Sequence, residues 1–233
     1  MSRRFSRSRA GKLPFEVAKA RAVQRLFAEK VIEKDFVDLN KVRYVCGIDV
    51  AYFREGTKEW GVAAACVLNY PSLEVLEVKC SVLEIKVPYV PTLLAFRELL
   101  PMHRAYLLLS FEPDVVFING QGRIHPYLCG IACHLGVLID KPTIGVAKKL
   151  LCGEIAEDSE KIYAPVVFKG KVVGAYIKSK RIFVSIGHKI SLDTACRLAL
   201  MCSTKRYRLP VPLQRAHEEA TRYAKSFKTK PLF

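Results

Sequence analysis

Between residues 44 and 147 the chain changes its periodicity once, and that change restricts the fold more than any other feature. Three strand-like stretches come first, at about 44–53, 61–69 and 73–85, separated by the polar segment 54–59 and the turn signal Asn69-Tyr70-Pro71. Their short connections predict an antiparallel meander. Pro88-Tyr89-Val90-Pro91 then intervenes, where two prolines in four residues forbid a regular ladder. A helical spacing follows over 92–111, with Pro101 expected to kink or break it, and then a short apolar strand at 114–119, a helix at 128–139 and a strand at 142–147. Strands this apolar are covered on both faces in α/β sheets. The order predicts a mixed sheet flanked by helices.

Outside that stretch, Val17, Ala20, Val23, Leu26, Phe27 and Val31 recur at helical intervals, which predicts an amphipathic helix over 15–33. Short strands are expected at 164–168, 172–177 and 181–185, and helices at 191–202 and 214–228. No repeat or polar linker divides the sequence. Residues 1–233 are therefore read as one domain with a basic N-terminal arm (about 1–13) and a basic C-terminal tail (about 225–233). Hydrophobic residues make up 51% of the chain, which excludes disordered and collagen-like classes. No apolar run approaches the roughly 20 residues that span a bilayer. The pair Arg3-Arg4 lacks the apolar segment of an export signal, so the expected location is cytoplasmic. The absence of heptads favours a monomer.

Lysine and arginine number 38 against 22 acids, a net charge of +16. Neutralising phosphates releases condensed counterions, so this excess predicts a nucleic acid partner. A membrane surface is the weaker alternative without a basic amphipathic helix. The eight cysteines lie in apolar segments and form no CxxC pair. Cys129-x-x-x-Cys133 has no second half, so buried thiols are expected rather than zinc.

Burying a carboxylate costs several kcal/mol unless it is paired, protonated or metal-bound, so acids inside apolar elements draw attention. Asp49 lies in the run Val45-Cys46-Gly47-Ile48-Asp49-Val50-Ala51 and Glu98 between Arg97 and Leu99. Each also has a plainer reading: an exposed position in an alternating strand for Asp49, pairing with Arg97 or Arg104 for Glu98. The strand Val115-Val116-Phe117-Ile118 ends in Asn119-Gly120-Gln121-Gly122, where open α/β sheets place ligand chemistry. A turn role for Asn119 and the glycines is the alternative.

The run Pro88-Tyr89-Val90-Pro91, Phe96-Arg97-Glu98, Asn119-Gly120-Gln121-Gly122, His125-Pro126, Gly130-Ile131-Ala132-Cys133-His134-Leu135-Gly136 and Pro142-Thr143-Ile144-Gly145-Val146-Ala147-Lys148 closely resembles the endonuclease V family. Gly47-Ile48-Asp49-Val50 and Val184-Ser185-Ile186-Gly187-His188 extend the resemblance to most of the chain. It implies a ribonuclease H-like fold built on a five-stranded mixed sheet, three antiparallel strands followed by parallel ones. It also implies a DNA repair endonuclease that hydrolyses the second phosphodiester bond 3′ to deoxyinosine, with some members acting on inosine in RNA. The implied cofactor is Mg²⁺, with Mn²⁺ able to substitute. By resemblance Asp49, Glu98 and Asn119 are the metal set, and Lys148 and His217 stand with them as catalytic positions. Tyr89, with Pro91, matches a wedge that fills the gap left by an extruded base. Gly120, Gly122, Leu135 and Gly136 match the surroundings of the base pocket. His125 falls near the site, with a structural or phosphate-contact role as an alternative to catalysis.

The chain departs from the pattern at Asn119, where the family has a metal-binding aspartate. The resemblance therefore implies an Asp-to-Asn variant of the active site whose cleavage is impaired, or an inosine-binding module without cleavage. Asn119-Gly120 is also a dipeptide prone to deamidation, which would regenerate an aspartate. Gln121 stands where many relatives have histidine, and Ile186 where many have proline.

Overall fold

The computed structural model describes residues 15–156 and 162–229. The N-terminal arm and the last four residues of the C-terminal tail lie outside them. The elements are α1 (Val17–Lys30), β1 (Tyr44–Glu55), β2 (Lys58–Asn69), β3 (Val75–Glu84), α2 (Ala95–Leu107), β4 (Val115–Asn119), α3 (Ile131–Ile139) and β5 (Thr143–Ala147). There follow β6 (Glu154–Ile155), β7 (Ala164–Phe168), β8 (Lys171–Ile177), β9 (Ile182–His188), α4 (Leu192–Met201) and α5 (Val211–Thr229).

The strands form one sheet in the order β3-β2-β1-β4-β5-β9-β8-β7-β6. The first five are the expected mixed core: β3, β2 and β1 form the antiparallel meander, and β4 and β5 continue it in parallel. The later short strands do not form a separate layer. They extend the same sheet through β9, which pairs antiparallel with β5. β6 is only two residues long and exposed, too short for an apolar pattern to mark it.

Alternation along the central strands assigns the two faces. Val45 and Phe117 pack in the cluster covered by α4 and α5, with Leu198, Leu213 and Ala216. Cys46, Ile48, Val116 and Ile118 face the other way, against Ala95, Met102 and Ala105 of α2 and Leu135 of α3.

Two expectations change. α2 runs unbroken through Pro101, which is buried within it and whose carbonyl accepts from Ser81 Oγ at 2.6 Å. Packing on the sheet outweighs the missing N–H. In α1 the expected apolar stripe faces inward only in part: Val17, Val23 and Leu26 are exposed, while Ala20 is buried beside Gln24 and Phe27 stacks on His134 at 4.8 Å. All eight cysteines are free thiols. Among the described residues no helix is long and apolar enough to cross a membrane.

Helix and strand approach closely at Gly47, where a Cβ would lie 2.1 Å from the Pro212 carbonyl oxygen at the start of α5. Gly47→Ala therefore has to push α5 off β1. Urea unfolding should show a loss of roughly 1–3 kcal/mol, the usual cost of overpacking.

Candidate active site

β1 is longer than its parallel neighbour, and this difference makes the site. Their last register pair is Ile48 with Ile118, after which β4 ends while β1 continues beside β2. Asp49 and Asn119 are the next residues, on the carboxyl side of the point where the parallel pairing stops, where α/β sheets open a crevice. Both share the parity of Val45 and Phe117 and so face α5.

Asp49 is 4% exposed and is held on both carboxylate oxygens. Oδ1 accepts from Asn119 Nδ2 at 2.9 Å and from the Val50 N–H at 2.8 Å. Oδ2 lies 2.7 Å from Nδ1 of His217 on α5. That contact raises the His217 pKa above its ordinary value, against partial burial and the nearby charge of Lys148. Lys148 itself is exposed just beyond β5, its carbonyl held by Arg208 Nη2 at 2.9 Å.

Glu98 enters from the opposite face, in the first turn of α2, and is 6% exposed. Tyr52, of the same parity as Ile48, donates its hydroxyl to Glu98 Oε1 at 2.6 Å. Burial raises the Glu98 pKa to about 7; the Tyr52 bond opposes the rise and the Asp49 charge adds to it. Both plainer readings are thereby replaced: Asp49 is buried, and Arg97 pairs with Glu59 at 2.7 Å while Glu98 bonds Tyr52. Sequence reasoning missed Tyr52, whose alternation with Ile48 was the available signal.

Two buried carboxylates that repel each other fit a divalent cation. Mg²⁺ commonly takes one or two protein carboxylates and completes its shell with water and substrate phosphate. Asn119 fits less well, because it presents its amide N–H to Asp49. With an amide in the third place, no group of three or more His, Cys, Asp or Glu able to hold a metal occurs among the described residues. Deamidation is also opposed by the fold. The Gly120 N–H, which would have to attack the Asn119 side chain, donates to the Val146 carbonyl at 2.9 Å.

Beside the acids, on the far side of Gly120, lies a cavity of about 380 Å³. Gly120, Gln121, His125, Ile131, Lys149 and Tyr89 are among the residues that line it. Tyr89 is 71% exposed, so it is not a packed loop aromatic. Its loop is pinned on both sides: Arg97 Nη1 donates to the Val87 carbonyl at 2.5 Å, and Arg21 Nη2 to the Pro91 carbonyl at 3.2 Å. Gln24, also missed, donates to the carbonyls of Thr92 and Cys129, both at 3.0 Å. His125 lies 3.0 Å from the Thr92 carbonyl oxygen, and burial lowers its pKa to about 4, so it is a neutral structural group of the cavity wall.

Three expected pocket residues are not brought to the cavity. Leu135 is fully buried in the core under α2 and α3. Gly136 allows α3 to approach Thr143 and His188 closely. The Gly122 N–H donates to Ser185 Oγ at 2.8 Å and its carbonyl accepts from the Gly130 N–H, so its backbone closes the turn internally.

A sequence profile of Endonuclease V matches residues 25–218. The chain belongs to the endonuclease V family. Endonuclease V of Thermofilum pendens is 47% identical over 223 residues, covering 93% of this chain and 94% of that protein. The crystal structure of endonuclease V from Streptomyces avermitilis is 35% identical, with a TM-score of 0.84 over 92% of this chain and 96% of that one. Ciona intestinalis endonuclease V, crystallised with a 24mer DNA containing an inosine followed by a ribo-adenosine, is 30% identical, with a TM-score of 0.80 over 91% and 98% of the two chains. Family membership makes this a nuclease chain, and the mixed sheet expected from its element order has the ribonuclease H-like form that the resemblance implied.

The endonuclease V site carries a direct electrostatic check. Because Asp49 raises the His217 pKa, Asp49→Asn should lower it towards the ordinary histidine value. A proton NMR titration of the imidazole reads the shift.

Proposed function

We propose that the chain is an inosine-directed, metal-dependent endonuclease that hydrolyses the second phosphodiester bond 3′ to deoxyinosine, as a monomer, with inosine-containing RNA as a further substrate. The observation that carries this reading is the convergence of Asp49 and Glu98 at the open end of β1 and β4, beside a base-sized cavity and an exposed tyrosine. Asp49 and Glu98 would hold Mg²⁺, or Mn²⁺ in its place, together with the substrate phosphate. Bound there, the cation supplies charge stabilisation and lowers the pKa of water. The relative from Ciona intestinalis, crystallised with inosine-containing DNA, supports the substrate class.

The chain's own residues divide the remaining work. Tyr89 replaces the stacking lost when a base leaves the helix, at little entropic cost because its loop is already pinned. The cavity receives the extruded base. Lys148 offers positive charge at the strand backbone. His217, anchored through Nδ1, offers its other ring nitrogen to the phosphate or the leaving oxygen.

Asn119 weakens this machinery by removing one negative charge and by donating into Asp49. The Asn119→Asp variant should cleave a deoxyinosine oligonucleotide at lower Mg²⁺ than the protein as it stands, by at least the roughly 10- to 100-fold that altering a supporting group in a metal site costs. Equal Mg²⁺ requirements would remove Asn119 from the site. Selective inosine binding without cleavage by either protein would establish a binding module instead.

A second expectation concerns pH. Protonated Glu98 cannot serve as an anionic ligand, so cleavage at limiting Mg²⁺ should rise with pH through about 7. Saturating Mg²⁺ should move that midpoint to lower pH.

A further inference from the structure

The open edge of the sheet continues past the acids. Ala147 ends β5 opposite Phe183 of the antiparallel β9, so Lys148 and Arg181, just past those strands' ends, lie on the same edge as Asp49 and Asn119. Three strand steps separate β1 from β9, roughly 14 Å at about 4.8 Å each, or about four nucleotides at the roughly 3.4 Å rise of a stacked strand. The loop between α4 and α5 is tied across this edge. Arg208 Nε donates to the Arg181 carbonyl at 3.1 Å and its Nη2 to the Lys148 carbonyl at 2.9 Å. Lys180 Nζ donates to the carbonyls of Thr204 and Tyr207, the latter at 3.2 Å. On the loop so held, Lys205 and Arg206 are exposed, as are Lys148 and Arg181 beside it. The Tyr207 ring has the guanidiniums of Arg206 and Arg215 at 5.2 and 5.7 Å from its centroid. Glu218, the acid that interacts with Arg206, is already bonded to Arg215 at 2.8 Å and to Gln214 at 3.0 Å. Exposed cations around an aromatic ring, on a backbone fixed by hydrogen bonds, make a surface suited to a single strand of nucleic acid.

We propose that this basic ledge, carried by Lys205 and Arg206 with Arg181, binds the phosphates of the strand 3′ to the cut. The proposal rests on the inosine-directed reading above and adds the direction in which the strand runs. Ala95 and Ile131, which line the cavity, pack on the α2 and α3 side of the sheet, whereas Cys202 and Leu209, which flank the loop, pack with α4 and α5. Asp49 faces α5, where it meets His217. A strand whose base sits in the cavity therefore crosses the sheet end at the acids before it reaches the ledge. The cut lies 3′ to that base, so the segment that has crossed is the 3′ one. Contacts of this kind carry no sequence information; they fix the strand's position and direction.

The test is equilibrium binding in EDTA, where no strand is cut, by fluorescence anisotropy over a range of salt. Single-stranded oligonucleotides carry one deoxyinosine with long arms on both sides, with the arm shortened just 3′ of the bond to be cut, or with the 5′ arm shortened by the same length. A long-armed deoxyadenosine strand is the control. The unmodified chain should bind the 3′-shortened strand more weakly and with less salt dependence than the long-armed one. The double variant Lys205→Gln with Arg206→Gln should lower the slope of log K against log salt by about 1.4, the value for two phosphates of a single strand. That loss should appear on the long-armed and 5′-shortened strands and be absent on the 3′-shortened one. A loss absent only on the 5′-shortened strand reverses the direction and overturns the proposal, as does a slope unchanged on every strand. The shortening series needs no variant, so a 3′ arm whose removal costs the unmodified chain nothing overturns the proposal even if the double variant does not fold. Equal affinity for deoxyinosine and deoxyadenosine removes the inosine-directed reading, and the strand direction built on it falls too. A deoxyinosine preference without any effect of the 3′ arm removes only the ledge.

Discussion

The site depends on a mismatch in strand length. β1 passes its parallel partner β4 after Ile48, and the sheet opens where that pairing stops. Asp49 is carried past the opening by a strand still locked to β2, so its backbone stays fixed while its side chain faces the crevice. Gly47, two residues earlier on the same face, lets α5 rest against the strand. That contact delivers His217 to Asp49. Glu98 reaches the same place from the other side of the sheet, on a helix held by Met102 and Ala105. Two layers that never touch through the sheet thus meet around its end.

The electrostatics follow from that meeting. Bringing two carboxylates out of water raises the pKa of Glu98, and Tyr52 and His217 compensate part of the cost from opposite faces. Asn119 contributes a neutral donor where a third acid would add repulsion. Each buried acid thus has a hydrogen-bond donor of its own, Tyr52 for Glu98 and Asn119 with the Val50 N–H for Asp49. In the proposed reading, the donor from Asn119 makes the site a weaker cation holder.

Much of this was legible in the sequence. Apolar strands with short connections revealed the meander and the parallel continuation, acids inside apolar elements marked Asp49 and Glu98, and a polar strand end marked Asn119. What the sequence concealed has two physical origins. Gln24 and Gln121 work through hydrogen bonds to distant carbonyls, at separations of 28 to 105 residues, which no local period records. Leu135 and Gly136 lie in a motif shared with a family, and a motif marks a neighbourhood without saying which of its residues face the cavity and which hold the helix. The buried face of α1 was read only in part for a related reason: beside Ala20 it carries a glutamine, which an apolar-spacing rule passes over.

The pinned loop around Tyr89 has a kinetic consequence. Its two anchors, Arg97 on α2 and Arg21 on α1, belong to different elements, so the tip cannot swing without disturbing both. In the proposed reading, a ring on a mount held at both ends has no closing step to complete before it probes a strand. On that reading the time spent at each nucleotide would be set by how readily it leaves its neighbours, and the weakest stack along the strand would be sampled first.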